Sequence, residues 1–395
     1  MIILALSSGT SVDGIDVAAA DIVATGTQIE MTPLGHREVE FSAELSRAVL
    51  DALPPAATTL EQVCRIDTLL GQELAAAALA ELEHGALAGQ RATAVVSHGQ
   101  TLFHWVQDGS ALGTLQMGQP AWISEATGLP VISDVRAADV AAGGHGAPVA
   151  SLLDVLLLGE RTRAAAALNL GGIANVTVAG AGVEPVAFDT GPANALLDVA
   201  VHRATQGRQR VDSGGALAGA GRVHEGLLGA LLDHPYYRQT PPKSTGKEMF
   251  NAGYLDEAQR HSGTEHLGGE DLLATLVELT AVTVADALEP YGVREVIASG
   301  GGTQNDVLMQ RLRARLSVEV TTYDSLGLDP GAKEAYLFAL IGFLTWHGLP
   351  GTVPACTGAG HGAIAGRISP GASPLHLPEP LGATPTVLRV TPHTD

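Results

Sequence analysis

Two carboxylates, two glycines and a cluster of hydroxyls lie close together near the start of the chain, in Ser7-Ser8-Gly9-Thr10-Ser11-Val12-Asp13-Gly14-Ile15-Asp16. Apolar runs flank this segment, residues 2–6 before it and 15–23 after it, and each predicts a buried strand. Reversing a chain between two strands takes only about two to five residues, so the loop carries more polar chemistry than a turn needs. Gly9 and Gly14 let backbone amides approach a ligand, and Thr10 and Ser11 supply neutral donors. Asp13 and Asp16 would repel a bare polyphosphate. They suit one if Mg²⁺, or water bound to it, lies between carboxylate and phosphate. A plain turn rich in Asx and Ser is the structural alternative.

Asp189 is a second candidate for chemistry. It closes an apolar strand and is followed by Gly191 and a helix N-terminus, groups that can approach phosphate oxygens. There it could accept a proton from a hydroxyl or water and hold the nucleophile in line. The alternative role is a structural cap on the helix at Asn194. His98-Gly99-Gln100-Thr101, with His104 beyond, follows another buried strand, so His98 could be a base, a ligand donor or a strand-end cap. Asp134, Arg136 and Asp139 make either a salt-bridge cluster or a polar socket for a sugar or carboxylate. Ser299-Gly300-Gly301-Gly302-Thr303-Gln304-Asn305 joins a strand to a helix and lets a flat ligand lie against backbone, with Asn305 also placed to cap that helix. Only three lysines occur in the chain, and Lys243 and Lys247 frame Ser244-Thr245-Gly246 as a local positive site. Asp212-Ser213-Gly214-Gly215 reads equally as a polar turn or a site wall.

The elements that must position these groups alternate between strand and helix. Strands over 2–6, 15–23 and 35–41 fit an antiparallel meander, and Ser42 caps a helix that Pro54-Pro55 ends. An Ala/Leu-rich helix over 59–83 puts Leu69, Leu70, Leu74 and Ala78 on the sheet. Strands are predicted over 94–97, 112–117 and 130–133, and a hinge over 141–148. The second half repeats the order: strands over 164–169, 174–178 and 183–188, a turn at Gly171-Gly172, then a helix begun by Pro192. A helix over 269–289, a strand over 293–298 and a helix over 331–344 follow. The tail beyond Ser369, with six prolines, should lie extended on the surface.

With 395 residues the chain can form two domains sharing a cleft. Its formal charge of −20 argues against nucleic acid and anionic membrane surfaces as partners, so any anionic ligand must be held locally. Cys64 and Cys356 are the only cysteines and match neither a zinc signature nor a disulfide framework. Without a basic flank at the N-terminus or an apolar stretch of membrane-spanning length, a soluble cytoplasmic protein is expected.

Taken in order, GTSVDGID (9–16), HGQT (98–101), AAGGHGAP (141–148), NLGGIANVT (169–177), DTGPAN (189–194), PPKSTGKE (241–248), SGGGTQN (299–305) and AKEA (332–335) resemble the bacterial 1,6-anhydro-N-acetylmuramic acid kinases. These belong to the actin/hexokinase-like ATPase superfamily, and the likeness runs from Gly9 to about Gly366. It implies an α/β fold of two ribonuclease-H-like domains with mixed sheets around a nucleotide cleft. Residues 1–140 would form the first domain, 141–368 the second and 369–395 a surface tail.

The resemblance also implies ATP and Mg²⁺ as cofactors, with Asp189 as catalytic base. Gly9, Thr10, Ser11, Val12, Asp13, Gly14, Ile15 and Asp16 would hold the phosphates, and Asp13 and Asp16 the metal, directly or through water. Gly171, Gly172, Gly300, Gly301, Gly302 and Asn305 fall on the nucleotide side, and Thr101, Asp134, Arg136 and Glu334 on the sugar side. Family members open the 1,6-anhydro bridge with water, phosphorylate O6 and release N-acetylmuramate 6-phosphate in cell-wall recycling; a homodimer is the family expectation. Val135 stands where an aromatic is common, His145 where glutamine is usual and Ala193 where glycine follows Pro192. The rival expectations are another small-molecule kinase on the same fold and an ATP-driven binding module.

Overall fold

The computed structural model describes residues 1–9, 12, 14–107 and 109–392. Of the expected phosphate-loop residues, Thr10, Ser11 and Asp13 lie outside that set. The chain divides into two units, residues 1–157 with 332–395, and residues 158–331.

In the first unit, β1 (Ile2–Ser7), β2 (Gly14–Thr25) and β3 (Gln28–Glu40) form the expected antiparallel meander. On the other side of β1, β4 (Ala94–Gln107) runs parallel, and β6 (Val131–Ser133) runs parallel to β4. β5 (Ser110–Met117) returns as a hairpin on β4. The second unit repeats this plan. β7 (Ala165–Leu170), β8 (Ile173–Ala179) and β9 (Val186–Pro192) are an antiparallel meander, followed outward from β7 by parallel β10 (Glu295–Ser299) and β11 (Glu319–Thr322). The strand orders β3-β2-β1-β4-β6 and β9-β8-β7-β10-β11 correspond. The mixed two-sheet α/β architecture inferred from the sequence is therefore present.

Each sheet buries its own apolar core. In the first, the helix Leu60–His84, capped by Thr59, packs Ile66, Leu70, Leu74 and Ala78 with Leu4, Leu6 and Val17. The helix Lys333–Trp346 also packs on this sheet, and a Cβ at Gly342 would overlap Val96, so only glycine permits that approach. In the second unit the helix Gly269–Leu288 is apolar nearly all round and sits inside the core with Leu168, Val176 and Leu197.

Three boundaries differ from those expected at 140, 141–148 and 369. The first unit runs on to 157 and takes back 332–395, because the helix Lys333–Trp346 packs on β1, β2 and β4, and Lys333 Nζ pairs with buried Asp154 at 2.7 Å. The segment read as a hinge is pinned within that unit. The Asp139 carboxylate accepts from Gly146 N and Thr357 Oγ1, both at 2.8 Å, and His145 N donates to Thr357 O at 2.9 Å. The tail is not only surface coil: β12 (Arg367–Ser369), just before it, joins β6, and β13 (Val387–Val390) within it lies parallel to β3 with Leu388 buried. Its prolines sit outside the four residues that pair with β3. Among the described residues, no helix is long and apolar enough to cross a membrane.

Candidate active site

In the first unit the end of β1 is tied to β4 by Ser8 Oγ, which donates to Gln100 Oε1 at 2.6 Å. Val12 N donates to Gly9 O, and Val12 is buried with φ 56°. Positive φ is costly for a β-branched side chain and persists where the surroundings impose it, as happens in ligand-binding loops. Gly14, Ile15 and Asp16 start β2, with Ile15 in the core, so Ile15 can offer a ligand only its backbone. Asp16 Oδ1 faces His36 Nε2 at 3.2 Å. One carboxylate with phosphate and water is a donor set that Mg²⁺ commonly accepts, so Asp16 fits the cation. Among the described residues no cluster of three His, Cys, Asp or Glu could hold a metal without such help.

The segment 98–101 does not follow a strand end as expected; it lies inside β4, with His98 and Gln100 buried. Between Leu6↔Ser97 and Ser7↔Gly99 the register shifts, so His98 is an extra residue in β4. Its ring stacks on Phe338 with centroids 4.5 Å apart, and its Nε2 receives Arg136 Nε at 2.9 Å. Arg136 Nη1 donates to Gly146 O, also at 2.9 Å. Burial, then the Arg136 charge, holds His98 well below the usual histidine pKa. Glu334 begins the helix Lys333–Trp346. It keeps access to solvent, yet the protein packed around it raises its carboxyl pKa, against the attraction of Arg136. Thr101 Oγ1 accepts from Gln116 Nε2 at 3.1 Å.

Asp134 is directed elsewhere. It has φ 56° and pairs with Arg367 of β12, while Asp139 serves the 144–146 turn, so the two aspartates do not enclose Arg136. The surviving polar group is Arg136, His98 and Glu334. Sequence reasoning marked His98 but did not find its partner, and nothing local to His36 pointed to Asp16. Val135 and Ala193 are both buried.

In the second unit the turn Gly171-Gly172 receives the start of the next helix. Asn194 N donates to Gly171 O and Ala195 N to Gly172 O, both at 3.0 Å, while Asn194 Nδ2 donates to Leu170 O. The turn at Gly300 lies against the same place. Gly300 has φ 83°, and a Cβ there would stand 2.6 Å from Asn169 Oδ1 and 2.9 Å from Leu170 O. Gly171, Gly172, Gly300, Gly301 and Gly302 are thus brought together, and Lys247 lies beside Gly172. Asn305 is mainly structural: its Oδ1 caps the helix Asp306–Leu316 through Leu308 N. Asp212 likewise accepts from Leu217 N and Ala218 N.

Asp189 lies on β9 and does not cap the helix Asn194–Ala204, which lacks a side-chain cap. The lysine-bearing loop holds it instead. Thr245 N donates to Asp189 Oδ2 at 2.8 Å, Asp189 N donates to Lys243 O at 3.2 Å, and Tyr236 Oη donates to Asp189 O at 2.8 Å. Lys243 Nζ stands over the Tyr236 ring, 4.7 Å from its centroid. Tyr236, Tyr237, Phe250 and Tyr254 pack edge and face to anchor this loop. Burial pushes the Asp189 carboxyl up to about 6, against the hydrogen bonds from Thr245 and Ser244 and the charge of Lys243; Glu248 adds to the rise. A proton acceptor poised near neutrality is what general-base chemistry requires.

The family described as Anhydro-N-acetylmuramic acid kinase matches residues 1–371. The chain belongs to this family. A relative from Streptomyces coelicolor, named an anhydro-N-acetylmuramic acid kinase, is 52% identical over 391 residues, covering 99% of each chain. One of the same name from Rhodococcus erythropolis is 49% identical over 398 residues, again with 99% of each chain covered. Among solved structures, a ROK hexokinase from Thermus thermophilus aligns with 87% of this chain and all of its own at 17% identity, but its TM-score of 0.35 is too low to carry an argument. Anhydro-N-acetylmuramic acid kinases are enzymes, so the ATP-driven binding module set beside the kinase reading is not favoured.

Proposed function

We propose that this enzyme uses ATP to open 1,6-anhydro-N-acetylmuramic acid hydrolytically and phosphorylate its O6, yielding N-acetylmuramate 6-phosphate and ADP. Asp189 carries the proposal, because its carboxyl is raised to about 6 and fixed by Thr245 N. It accepts a proton from water as the water oxygen bonds to C1. The C1–O bridge breaks, and the electron pair leaves with the bridge oxygen, which remains on C6. That oxygen bonds to the γ-phosphorus as the bond to ADP breaks. Phosphates call for backbone amide donors, which the glycine turns at Gly171-Gly172 and Gly300–Gly302 would supply. Arg136, Thr101 and Glu334 face the sugar, and Asp134 acts there only if it exchanges its bond to Arg367. Asp16, with Asp13, would hold Mg²⁺, which neutralises charge on the phosphates.

The cytoplasm, a homodimer and Mg²⁺ complete the proposal as family expectations. Incubation of the protein with ATP, Mg²⁺ and the anhydro-sugar tests it. A product heavier than the sugar by one water and one phosphoryl group supports it, and unchanged sugar rejects it.

A further inference from the structure

Arginine is always protonated, so the contact between Arg136 Nε and His98 Nε2 at 2.9 Å has one possible sense: the guanidinium donates and the imidazole accepts. Nε2 therefore bears no proton. The proton is on Nδ1, which donates to Gly99 O at 3.0 Å. One tautomer of a neutral ring satisfies both bonds. Four features hold it there. The ring is 3% exposed, it stacks on Phe338, it occupies the extra position in β4, and Gly99 takes φ 70° immediately after it. A bulge redirects a side chain relative to the regular alternation of a strand.

We propose that His98 is a positioning residue for Arg136, a neutral imidazole that fixes the direction in which the guanidinium meets an anionic group of the sugar substrate. With Nε donating to His98 and Nη1 to Gly146 O, the guanidinium plane is set from two sides, and Nη2 is the nitrogen that neither bond uses. A carboxylate in place of His98 would neutralise the arginine. An imidazole orients it without adding a second negative charge to that of Glu334, which already acts on Arg136. This inference rests on placing Arg136 at the sugar, and the test separates the two claims.

The test compares His98→Gln, His98→Asn, His98→Phe and Arg136→Ala, with KM and kcat measured separately for anhydro-sugar and ATP. Glutamine puts an amide oxygen close to the Nε2 position, asparagine ends too short, and phenylalanine keeps the stack without the acceptor. Loss of a hydrogen bond to a charged group predicts a roughly 10–100-fold fall in kcat/KM for sugar in the Asn and Phe variants. ATP KM should be unchanged, the Gln variant should recover most of the loss, and His98→Phe should add nothing to Arg136→Ala. If Gln and Asn are equivalent, or if ATP KM moves with sugar KM, His98 is only structural and the proposal fails. If Arg136→Ala impairs sugar use while His98→Asn matches wild type, the Arg136 assignment stands and the His98 proposal falls. If Arg136→Ala leaves sugar kinetics intact, both fall.

Discussion

At the scale of single residues, the account turns on what surrounds the carboxylate of Asp189. Asp189→Asn keeps the shape and the contact to Thr245 N but cannot accept a proton, so turnover should fall by about 10²–10⁴-fold while ATP still binds. Single-turnover rates and an equilibrium ATP titration check this; near-normal turnover would remove Asp189 from the role. The base works when deprotonated, so activity should be full above its pKa and fall as pH drops through about 6. The Ser244 hydrogen bond favours the charged form and lowers that pKa. Ser244→Ala should therefore move the acid limb of the pH–rate profile to higher pH, and an unmoved limb would show that Ser244 does not reach the carboxylate in the working enzyme.

At the scale of elements, the tail offers a test of stability. Leu388 of β13 is buried against the β3 edge, and Leu388→Ala should cost the first unit about 2–5 kcal/mol, read as a lower melting temperature for that unit. The same strand shows where local sequence stops informing. Val387–Val390 is only four residues among prolines, and its partner β3 lies more than 350 positions earlier, so no local pattern links them. The two meanders were legible because apolar runs and turns recur at short range. Ser42 and Asn305 were legible as caps for the same reason, and both cap helices here. The helix Lys333–Trp346 was legible as a helix, but its return to the first sheet depends on pairings such as Lys333 with Asp154. Site residues divide likewise. Asp189 stood out at a strand end, whereas its contact with Thr245 spans 56 positions and the Arg136–His98 bond spans 38.

At the scale of the whole molecule, repetition of one sheet order in two units explains why candidate groups occur in both halves of the sequence. Arg136, Thr101 and Glu334 belong to the first unit, and Asp189 and the glycine turns to the second. With a net charge of −20, an anionic ligand must rely on local donors; the charges of Lys243 and Asp189 interact, and Lys247 lies beside Gly172. The family assignment leaves one chemical alternative within reach of these groups, transfer of phosphate to a hydroxyl that already exists on a sugar. Water labelled with ¹⁸O distinguishes it. When enzyme, ATP, Mg²⁺ and the anhydro-sugar react in that solvent, the product should carry ¹⁸O at C1 and phosphate on O6. A phosphorylated product with no label introduced at C1 during turnover would contradict coupled bridge opening and transfer.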